Sequence, residues 1–288
     1  MMTILTSEKI KALSNQNFVA DFLGCTREEL HLLKSDKLYH VFTPKNGNRK
    51  IQEPTGKLKI ALLTLKKELA KEDFSDWLMS NKGKGHIKNA TSHCGEDLYG
   101  MKMDISHFYQ SCKKEYIFKF FNHQDGYGLS KGVSSTLSQI TTYNGYLPTG
   151  SPTSPYLAFF AYKKCFEEIF NLANAHGFKM TLYVDDLTFS FGESSYQSVG
   201  WLKRAIKQIL KRYKLNVKSS KTRTYWPNKA KMVTGVPVYS KKLLYPNKVQ
   251  KKIHEEKEKG GLGDKAKMKG LENYLKSIDK ANAAQLML

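Results

Sequence analysis

The stretch TLYVDDLTFS, at residues 181–190, places acidic residues where they could do chemistry. Two adjacent aspartates, Asp185 and Asp186, interrupt a run that is otherwise rich in residues typical of β-strands. Burying one unpaired carboxylate costs free energy, and a second carboxylate beside it adds repulsion between like charges. The pair therefore requires a compensating partner.

Apolar residues alternate on both sides of this pair, with Leu182 and Val184 before it and Leu187 and Phe189 after it. The alternation predicts two strands joined by a tight hairpin, with the aspartates at its tip. A plain turn is the alternative interpretation. Turns usually place Gly, Asn or Pro beside Asp, however, whereas this one has the bulky Val184 and Leu187.

A third aspartate, Asp104, lies near the end of a separate predicted strand, DLYGMKMDI at residues 97–105. Because side chains alternate along a strand, Met101 and Met103 face one side and Asp104 faces the other. If this strand lies beside the hairpin, three carboxylates converge on one edge of a sheet.

Three close carboxylates cannot all ionise near pH 7 unless cations balance them. Carboxylate oxygens suit Mg²⁺, which keeps several waters and shares its remaining positions with substrate phosphates. Two metal ions about 3.5–4 Å apart can activate an attacking hydroxyl and stabilise the leaving oxygen of a phosphoryl transfer. The three aspartates therefore predict a site for two Mg²⁺ ions and a polyphosphate substrate.

The composition predicts a globular protein with an acidic partner. The chain has 288 residues, of which 40% are hydrophobic, and a formal net charge of +21. Residues 201–231 include eleven Lys and Arg and no Asp or Glu, and such a one-sign block is typical of phosphate binding. A solvated surface or a membrane-surface helix is the alternative, but the lysines do not lie opposite one clean apolar stripe. We therefore expect a nucleic-acid partner.

Other features of the sequence argue against several protein classes. No apolar run reaches the ~18–20 residues needed to span a bilayer, and the N-terminus does not resemble a signal peptide. The four cysteines form no C-x-x-C pair, which argues against a structural zinc site or a disulfide framework. We expect a cytoplasmic protein with no membrane partner.

The elements that must position the aspartates predict an α+β fold, in which helices back an antiparallel sheet. Helical periodicity, strand alternation and turn residues define these elements. In chain order they are helices to about Leu33, a hairpin over 38–53 with its turn at Asn46-Gly47, a helix over 58–70, a strand over 97–105, a helix capped by Ser154 and running to about Asn174, the 181–190 hairpin, a helix over 197–213, short strands over 232–245, and Lys-rich terminal helices broken by Gly260-Gly261-x-Gly263.

Three motifs together resemble the palm of reverse transcriptases. They are D-x-x-x-F-Y from Asp104, LPTGSPTSP over 147–155 and YVDD over 183–186, in the family's order. The resemblance covers about residues 38–245 and implies a right-hand polymerase. It assigns N-terminal helices and fingers to 1–95, a palm with an interleaved fingers segment (about 110–145) to 96–240, and a small helical thumb to 241–288.

The same resemblance implies catalytic roles for individual residues. Asp104 and Asp185 match the two main metal-binding aspartates, and Asp186 matches their neighbour, a weaker or indirect ligand. The backbone carbonyl of Ile105 would be a further metal ligand. Tyr109 matches the aromatic residue whose ring fills the space of a ribose 2′-OH, so it would favour dNTPs.

A nucleotide site is also implied by the resemblance. Thr149 and Gly150 match the loop beside the incoming nucleotide, although the family often has Gln where this chain has Thr149. Arg49 matches the basic fingers residue that contacts the triphosphate. Lys221 resembles the lysine near the leaving pyrophosphate.

Two short motifs resemble marks of retron reverse transcriptases, namely N-A-x-x-H over 89–93 and V-T-G over 233–235. In a chain without an appended maturase or nuclease domain, they favour a retron enzyme. The alternatives are a group II intron or diversity-generating enzyme, and a catalytically idle RNA-binding protein. The retron resemblance implies that part of a cognate non-coding RNA is copied, from an RNA 2′-OH, into branched RNA–DNA (msDNA). It further implies a role in anti-phage defence with a separate effector protein.

We expect RNA contacts from both short motifs, from the basic helix and from the Lys-rich thumb. The expected RNA-binding residues are Asn89, His93, Val233, Thr234, Gly235, Lys203, Arg204, Lys207, Lys211, Arg212 and Tyr245.

Overall fold

The computed structural model describes residues 5–45, 47, 49–259 and 264–285. These residues form two compact units. The first unit lies within Met1–Ser75, Ser106–Glu168 and Ile209–Asn216, and the second within Asp76–Ile105, Ile169–Gln208 and Val217–Leu288. In the described part of the chain, no helix has the length and apolar character needed to cross a membrane.

Helices and strands are numbered here in chain order. The helices are α1 Glu8–Lys11, α2 Gln16–Leu23, α3 Arg27–Leu32, α4 Gly56–Leu69, α5 His86–Thr91, α6 Phe108–Ser111, α7 Lys114–Asn122, α8 Lys131–Ile140, α9 Ser154–Ala161, α10 Lys163–Ala175, α11 Val199–Arg212, α12 Asn247–Glu258 and α13 Lys265–Gln285. The strands are β1 Tyr39–Phe42, β2 Ile51–Pro54, β3 Tyr99–Asp104, β4 Lys179–Tyr183, β5 Asp186–Phe191, β6 Arg223–Tyr225, β7 Lys231–Val233, β8 Val236–Tyr239 and β9 Lys242–Leu243.

The first unit is mainly helical and contains the antiparallel hairpin β1–β2. Its helix α4 shows how the sequence builds the core, because Leu58, Leu62, Leu65 and Leu69 recur at helical spacing and are all fully buried. Burial of this apolar stripe stabilises the helix, whose opposite face is rich in lysine.

The second unit is built on a four-stranded antiparallel sheet with the strand order β4-β5-β3-β6. One face of this sheet is apolar and carries Met101, Met103, Leu187 and Phe189, all of them buried. The opposite face is polar, and the register of β3 and β5 puts Asp104 and Asp186 on it.

A second, three-stranded sheet with the order β7-β8-β9 also belongs to this unit. Its buried valines form a core cluster with Ala90 of α5 and Ile278 of α13. Thr234 and Gly235 connect β7 to β8, and both have positive φ, as a two-residue type I′ hairpin turn requires. The second short motif therefore forms a tight turn.

The helix expected from Ser154 to about Asn174 is in fact two helices, α9 and α10, which meet at Tyr162. Tyr162 leaves the helical conformation, its ring is fully buried, and its hydroxyl donates to the carbonyl of Ser111 at 3.2 Å. Helix α9 begins at Ser154, so Thr153 and not Ser154 is its N-cap residue. The Ser154 hydroxyl donates to the carbonyl of Pro148. The expected turn residue Asn46 and the expected break at Gly260, Gly261 and Gly263 lie outside the described residues.

Candidate active site

The 181–190 hairpin has a turn of only two residues. Tyr183 of β4 pairs with Asp186 of β5, which leaves Val184 and Asp185 as the connection. Asp186 is therefore the first residue of a strand, and only Asp185 lies in the turn. Val184 has a φ of 58°, a left-handed conformation that is rare for a β-branched residue. Such strain persists only where the surrounding structure imposes it.

The end of β3 meets this hairpin directly. Asp104 is the register partner of Asp186, so their side chains lie on the same face of the sheet. The backbone N–H of Ile105 donates to the carbonyl of Asp185 at 2.9 Å, and Lys218 N–H donates to the carbonyl of Asp104 at 2.7 Å. The three aspartates are thus brought together by the backbone of separate strands.

Two lysines accompany these carboxylates. The ammonium of Lys102, two residues before Asp104 on the same strand face, pairs with Oδ2 of Asp186. The ammonium of Lys221 lies 3.0 Å from Oδ2 of Asp104. Each lysine partly neutralises a carboxylate that is almost fully buried.

The electrostatic state of Asp186 shows that this neutralisation is incomplete. The pKa of the Asp186 carboxyl is raised to about 6, chiefly by burial; Lys102 lowers it, whereas Asp185 and Asp104 contribute to the rise. The Oδ1 atom of Asp186 is buried and has no hydrogen-bond partner among the described residues. A buried carboxylate oxygen in this situation favours a cation as its partner.

The donor set fits Mg²⁺, because aspartate oxygens and backbone carbonyls are the ligands this ion prefers in proteins. Among the described residues, no group of three or more His, Cys, Asp or Glu side chains is already arranged to hold a metal ion. Asp104 and Asp186 each direct one carboxylate oxygen to a lysine.

A chain of buried hydrogen bonds links the same hairpin to α5. The hydroxyl of Thr181 on β4 donates to Oδ1 of Asn89 at 2.6 Å, so Thr181 accepts from His93 Nε2, 2.7 Å away. His93 Nδ1 then accepts from the hydroxyl of Ser190 on β5, at 2.9 Å. Asn89 Nδ2 in turn lies 3.4 Å from Thr234 Oγ1.

This series of hydrogen bonds connects the two short sequence motifs. Asn89 of N-A-x-x-H bonds to β4, and His93 bonds to both strands of the hairpin. Thr234 of V-T-G donates to the carbonyl of His86 at 3.2 Å, which extends this series of hydrogen bonds. Burial lowers the pKa of His93 from its ordinary value of 6.5 to about 3, with smaller contributions from Lys179 and Lys231. His93 is therefore neutral in the folded protein near pH 7.

Residues 44–243 match a family described as "Reverse transcriptase (RNA-dependent DNA polymerase)". The retron Ec86 reverse transcriptase of Escherichia coli is 30% identical over 241 residues, which cover 79% of this chain and 73% of that protein. The chain belongs to the retron-type reverse transcriptases. It is accordingly an RNA-directed DNA polymerase, as its motifs predicted.

Further similarities agree with this family. The retron Se72 reverse transcriptase of Salmonella heidelberg is 28% identical over 210 residues, covering 69% of this chain and 54% of that protein. Solved telomerases from Candida albicans and Candida tropicalis share 13% and 12% identity, with TM-scores of 0.50 and 0.51. They cover 70% and 72% of this chain, which spans 45% and 48% of theirs. These two likenesses concern the fold alone and agree with a right-hand polymerase.

The burial of the retron-type motifs corrects one expectation. Asn89, His93 and Val233 are at most 1% exposed, so they have no surface to offer to RNA, and the expectation of direct RNA contact is wrong for these three side chains. Their polar atoms are occupied by the hairpin, and Val233 packs in the core cluster. Thr234 and Gly235 keep some exposed surface at the turn.

The expected nucleotide-binding residues of this reverse transcriptase lie in the first unit, except for Lys221. Tyr109 is half-buried on α6 and its ring contacts Phe108. Arg49 is exposed, just before β2. The backbone N–H of Thr149 donates to Oε1 of Gln52 on β2, at 3.1 Å.

Gly150 follows in the same loop and touches β2 closely. A Cβ at this position would lie 2.6 Å from the carbonyl oxygen of Gln52 and 2.9 Å from Cγ2 of Ile51. Such contacts cannot be accommodated without a shift of the backbone. The glycine thus allows the loop and the hairpin to approach.

The expected RNA-binding residues on α11 differ in their exposure and in their side-chain partners. Lys203 is half-buried and donates to the Thr224 hydroxyl at 2.6 Å, and Arg212 pairs with Glu168. Three others on this helix are exposed, namely Arg204, Lys207 and Lys211. Tyr245 is also partly exposed, and its hydroxyl donates to Asp279.

Sequence reasoning missed two functional features of this enzyme. The first is the ion pair between Lys102 and Asp186, which was not predicted. The position of Lys102 two residues before an aspartate, on the same strand face, was the available signal. Gln52, the support for the Thr149–Gly150 loop, had no signal in the sequence, because its partner is far away along the chain.

Proposed function

We propose that this reverse transcriptase copies part of a cognate structured non-coding RNA into DNA by two-metal nucleotidyl transfer. The observation that carries the proposal is the meeting of Asp104, Asp185 and Asp186 where β3 reaches the hairpin. Carboxylates gathered from separate strands serve phosphoryl transfer, in which positioning and charge stabilisation supply most of the catalysis.

Asp104 and Asp185, with the carbonyl of Ile105, would hold two Mg²⁺ ions, and Asp186 would be a weaker or indirect ligand. When bound, these ions supply charge neutralisation for the triphosphate and an acidified attacking hydroxyl. Lys102 holds Asp186 in place from the same sheet face, and Lys221 is positioned to meet anionic substrate groups when it leaves Asp104.

The incoming substrates are dNTPs in this proposal. Tyr109 restricts the sugar to deoxyribose, Arg49 contacts the triphosphate, and Thr149 and Gly150 form a surface beside the nucleotide. The close approach of Gly150 to β2 supports a loop whose shape is fixed before the nucleotide arrives.

The product proposed is branched RNA–DNA (msDNA), primed from a 2′-OH of the RNA. The support is the similarity to retron reverse transcriptases, together with N-A-x-x-H and V-T-G in the chain. By the same similarity we propose a role in anti-phage defence, in the bacterial cytoplasm, with a separate effector protein. Fingers, palm and thumb are proposed at 1–95, 96–240 and 241–288.

DNA synthesis by the purified protein, with an RNA template, a primer, dNTPs and Mg²⁺, tests the proposal. Asp185→Asn and Asp104→Asn should each remove synthesis, because an amide oxygen is neutral and binds Mg²⁺ weakly. Asp76→Asn is the matched control, since this carboxylate is fully exposed and only loosely paired with Lys84, at 3.7 Å. Equal synthesis by Asp185→Asn and the control would overturn the two-metal assignment.

A further inference from the structure

A cluster of aromatic rings surrounds Trp226 in the second unit. The indole ring centroid lies 5.1 Å from that of Tyr196 and 5.6 Å from that of Tyr99, and these two tyrosines lie 4.7 Å apart. Tyr99 also stacks on Phe191 of β5, with ring centroids 5.7 Å apart. The cluster is thus anchored in the sheet.

Trp226 is nevertheless 52% exposed. It begins the turn W-P-N-K, in which Lys229 N–H donates to the carbonyl of Trp226 at 3.1 Å and Pro227 occupies the second position. Proline restricts the backbone of this turn, and the contacts with Tyr99 and Tyr196 limit the movement of the indole before any partner binds. One side of the ring is supported by tyrosines and the rest is open to solvent.

The surroundings of this ring are basic. Arg223 and Lys229 are exposed within a few residues of it, and the whole segment 201–231 has eleven Lys and Arg and no Asp or Glu. Lys203 of α11 reaches the adjoining strand through its hydrogen bond to Thr224, and burial together with Lys207 lowers the Lys203 pKa. The acidic residues near this cluster in sequence are Glu193, on the turn that carries Tyr196, and Glu96 and Asp97, just before Tyr99. Glu96 pairs with Lys241 at 2.9 Å.

We propose that Trp226 is a stacking platform for an unpaired base of the RNA that this enzyme binds. A supported aromatic face with cationic neighbours combines the two elements of single-strand recognition, base stacking and phosphate contact. The charge of the segment selects a polyanion, and the fixed, exposed indole selects one with bases to stack. The inference names a contact surface for the RNA partner in the proposed function.

The surface is separate from the catalytic carboxylates. Tyr99 begins β3 and Asp104 ends it, and five residues of strand span about 16 Å. A base stacked on Trp226 is therefore not the one being copied. The platform would hold a part of the RNA outside the template register.

Tryptophan fluorescence gives a direct test, with a single-stranded 12-nucleotide uridine RNA as the probe. The chain has three tryptophans. Trp77 is 9% exposed, and Trp201 packs on His176 with ring centroids 4.5 Å apart. The RNA should quench the wild type and Trp201→Phe alike, whereas Trp226→Phe should lose most of the quenching. Equal quenching of Trp226→Phe and the wild type would overturn the proposal.

Two further measurements separate stacking from plain charge attraction. A double-stranded RNA of equal length should quench Trp226 much less; equal quenching would mean phosphate binding without stacking and would overturn the platform. In Arg223→Glu/Lys229→Glu, with Trp226 intact, the affinity obtained from quenching should fall about ten-fold. The salt slope should fall by about one for each phosphate that the variant no longer binds. An unchanged affinity and slope would likewise overturn the proposed surface.

Primer extension on a short template distinguishes this inference from the proposed function. A wild type that binds RNA through Trp226 but makes no DNA would refute the proposed function and leave the platform standing. A wild type that makes DNA but shows no quenching of Trp226 by RNA would refute the platform and leave the proposed function standing.

Discussion

The Nε2 atom of His93 lies 2.7 Å from the hydroxyl oxygen of Thr181, on the strand that leads to Asp185. The other ring nitrogen binds Ser190 on the returning strand, so one imidazole bridges both arms of the hairpin that carries Asp185 and Asp186. Because both nitrogens are satisfied and the ring is buried, the bridge holds one arrangement of the hairpin.

Replacing His93 by Ala should destabilise the protein by about 3 kcal/mol, through a cavity and the loss of two buried hydrogen bonds. Chemical denaturation at pH 7 measures this change. His93→Gln should recover part of the loss, because its amide can reach one hydroxyl. His254→Ala is a suitable control, since this exposed histidine bonds only Glu258 in the described structure. A loss no larger than that of His254→Ala would contradict the bridge.

The low pKa of His93 predicts a pH dependence of stability. The unfolded chain takes up a proton near pH 6.5, whereas the folded protein does so only near pH 3. The stability contributed by neutral His93 is therefore complete above pH 6.5 and is lost as the pH falls below it. At pH 5 the loss should be about 2 kcal/mol relative to pH 7. Urea unfolding of the wild type and His93→Gln at both values isolates it, because the variant should lack this component.

Lys102 should control the ionisation of Asp186. Its ammonium lowers the Asp186 pKa, so Lys102→Met should raise that pKa above the present value of about 6. If Asp186 must be ionised for catalysis, the rate of DNA synthesis should fall near pH 7 and recover at higher pH. A pH–rate profile measures the shift, and Lys102→Arg should stay close to the wild type. An unshifted pH–rate profile for Lys102→Met would mean that the rate of DNA synthesis does not depend on the ionisation of Asp186.

Tyr109 should exclude ribonucleotides. Tyr109→Ala should raise the relative use of rNTPs over dNTPs by about 10-fold or more, because the space filled by the ring becomes open to a 2′-OH. Single-nucleotide incorporation with matched rNTP and dNTP measures this ratio. Tyr109→Phe keeps the ring and should keep the selectivity. If Tyr109→Ala has the wild-type ratio, another residue excludes the 2′-OH.

Gly150 should tolerate no side chain. Gly150→Ala places a Cβ 2.6 Å from a backbone oxygen of Gln52, so the loop must shift, at a cost of about 1–3 kcal/mol. Thermal unfolding and the KM for dNTP should both change. Gly132→Ala is the control. Gly132 lies in helix α8, and a Cβ there would meet only the side-chain amide of Gln16, at 3.7 Å. Equal behaviour of the two variants would contradict the close approach.

Much of this site could be predicted because local patterns encode it. Alternating apolar residues predicted both arms of the hairpin and β3, and the placement of Asp104 opposite the methionine face agrees with the strand register. The burial of His93 could not be predicted, since its partners Thr181 and Ser190 are about ninety or more residues away along the chain. Its burial depends on how α5 meets the sheet, which no local pattern specifies. For the same reason, motif residues that seemed suited to RNA proved to be internal.

The left-handed backbone of Val184 has a consequence for transplanting this hairpin. Positive φ at the first of two turn residues matches a type II′ turn, which normally has glycine at that position. The four residues YVDD therefore do not by themselves favour the turn conformation that they adopt. The shape comes from the bond between Ile105 and Asp185 and from the imidazole bridge. Grafted alone onto another hairpin, the tetrapeptide would relax and its carboxylates would point elsewhere. The portable unit is the hairpin together with α5 and the end of β3.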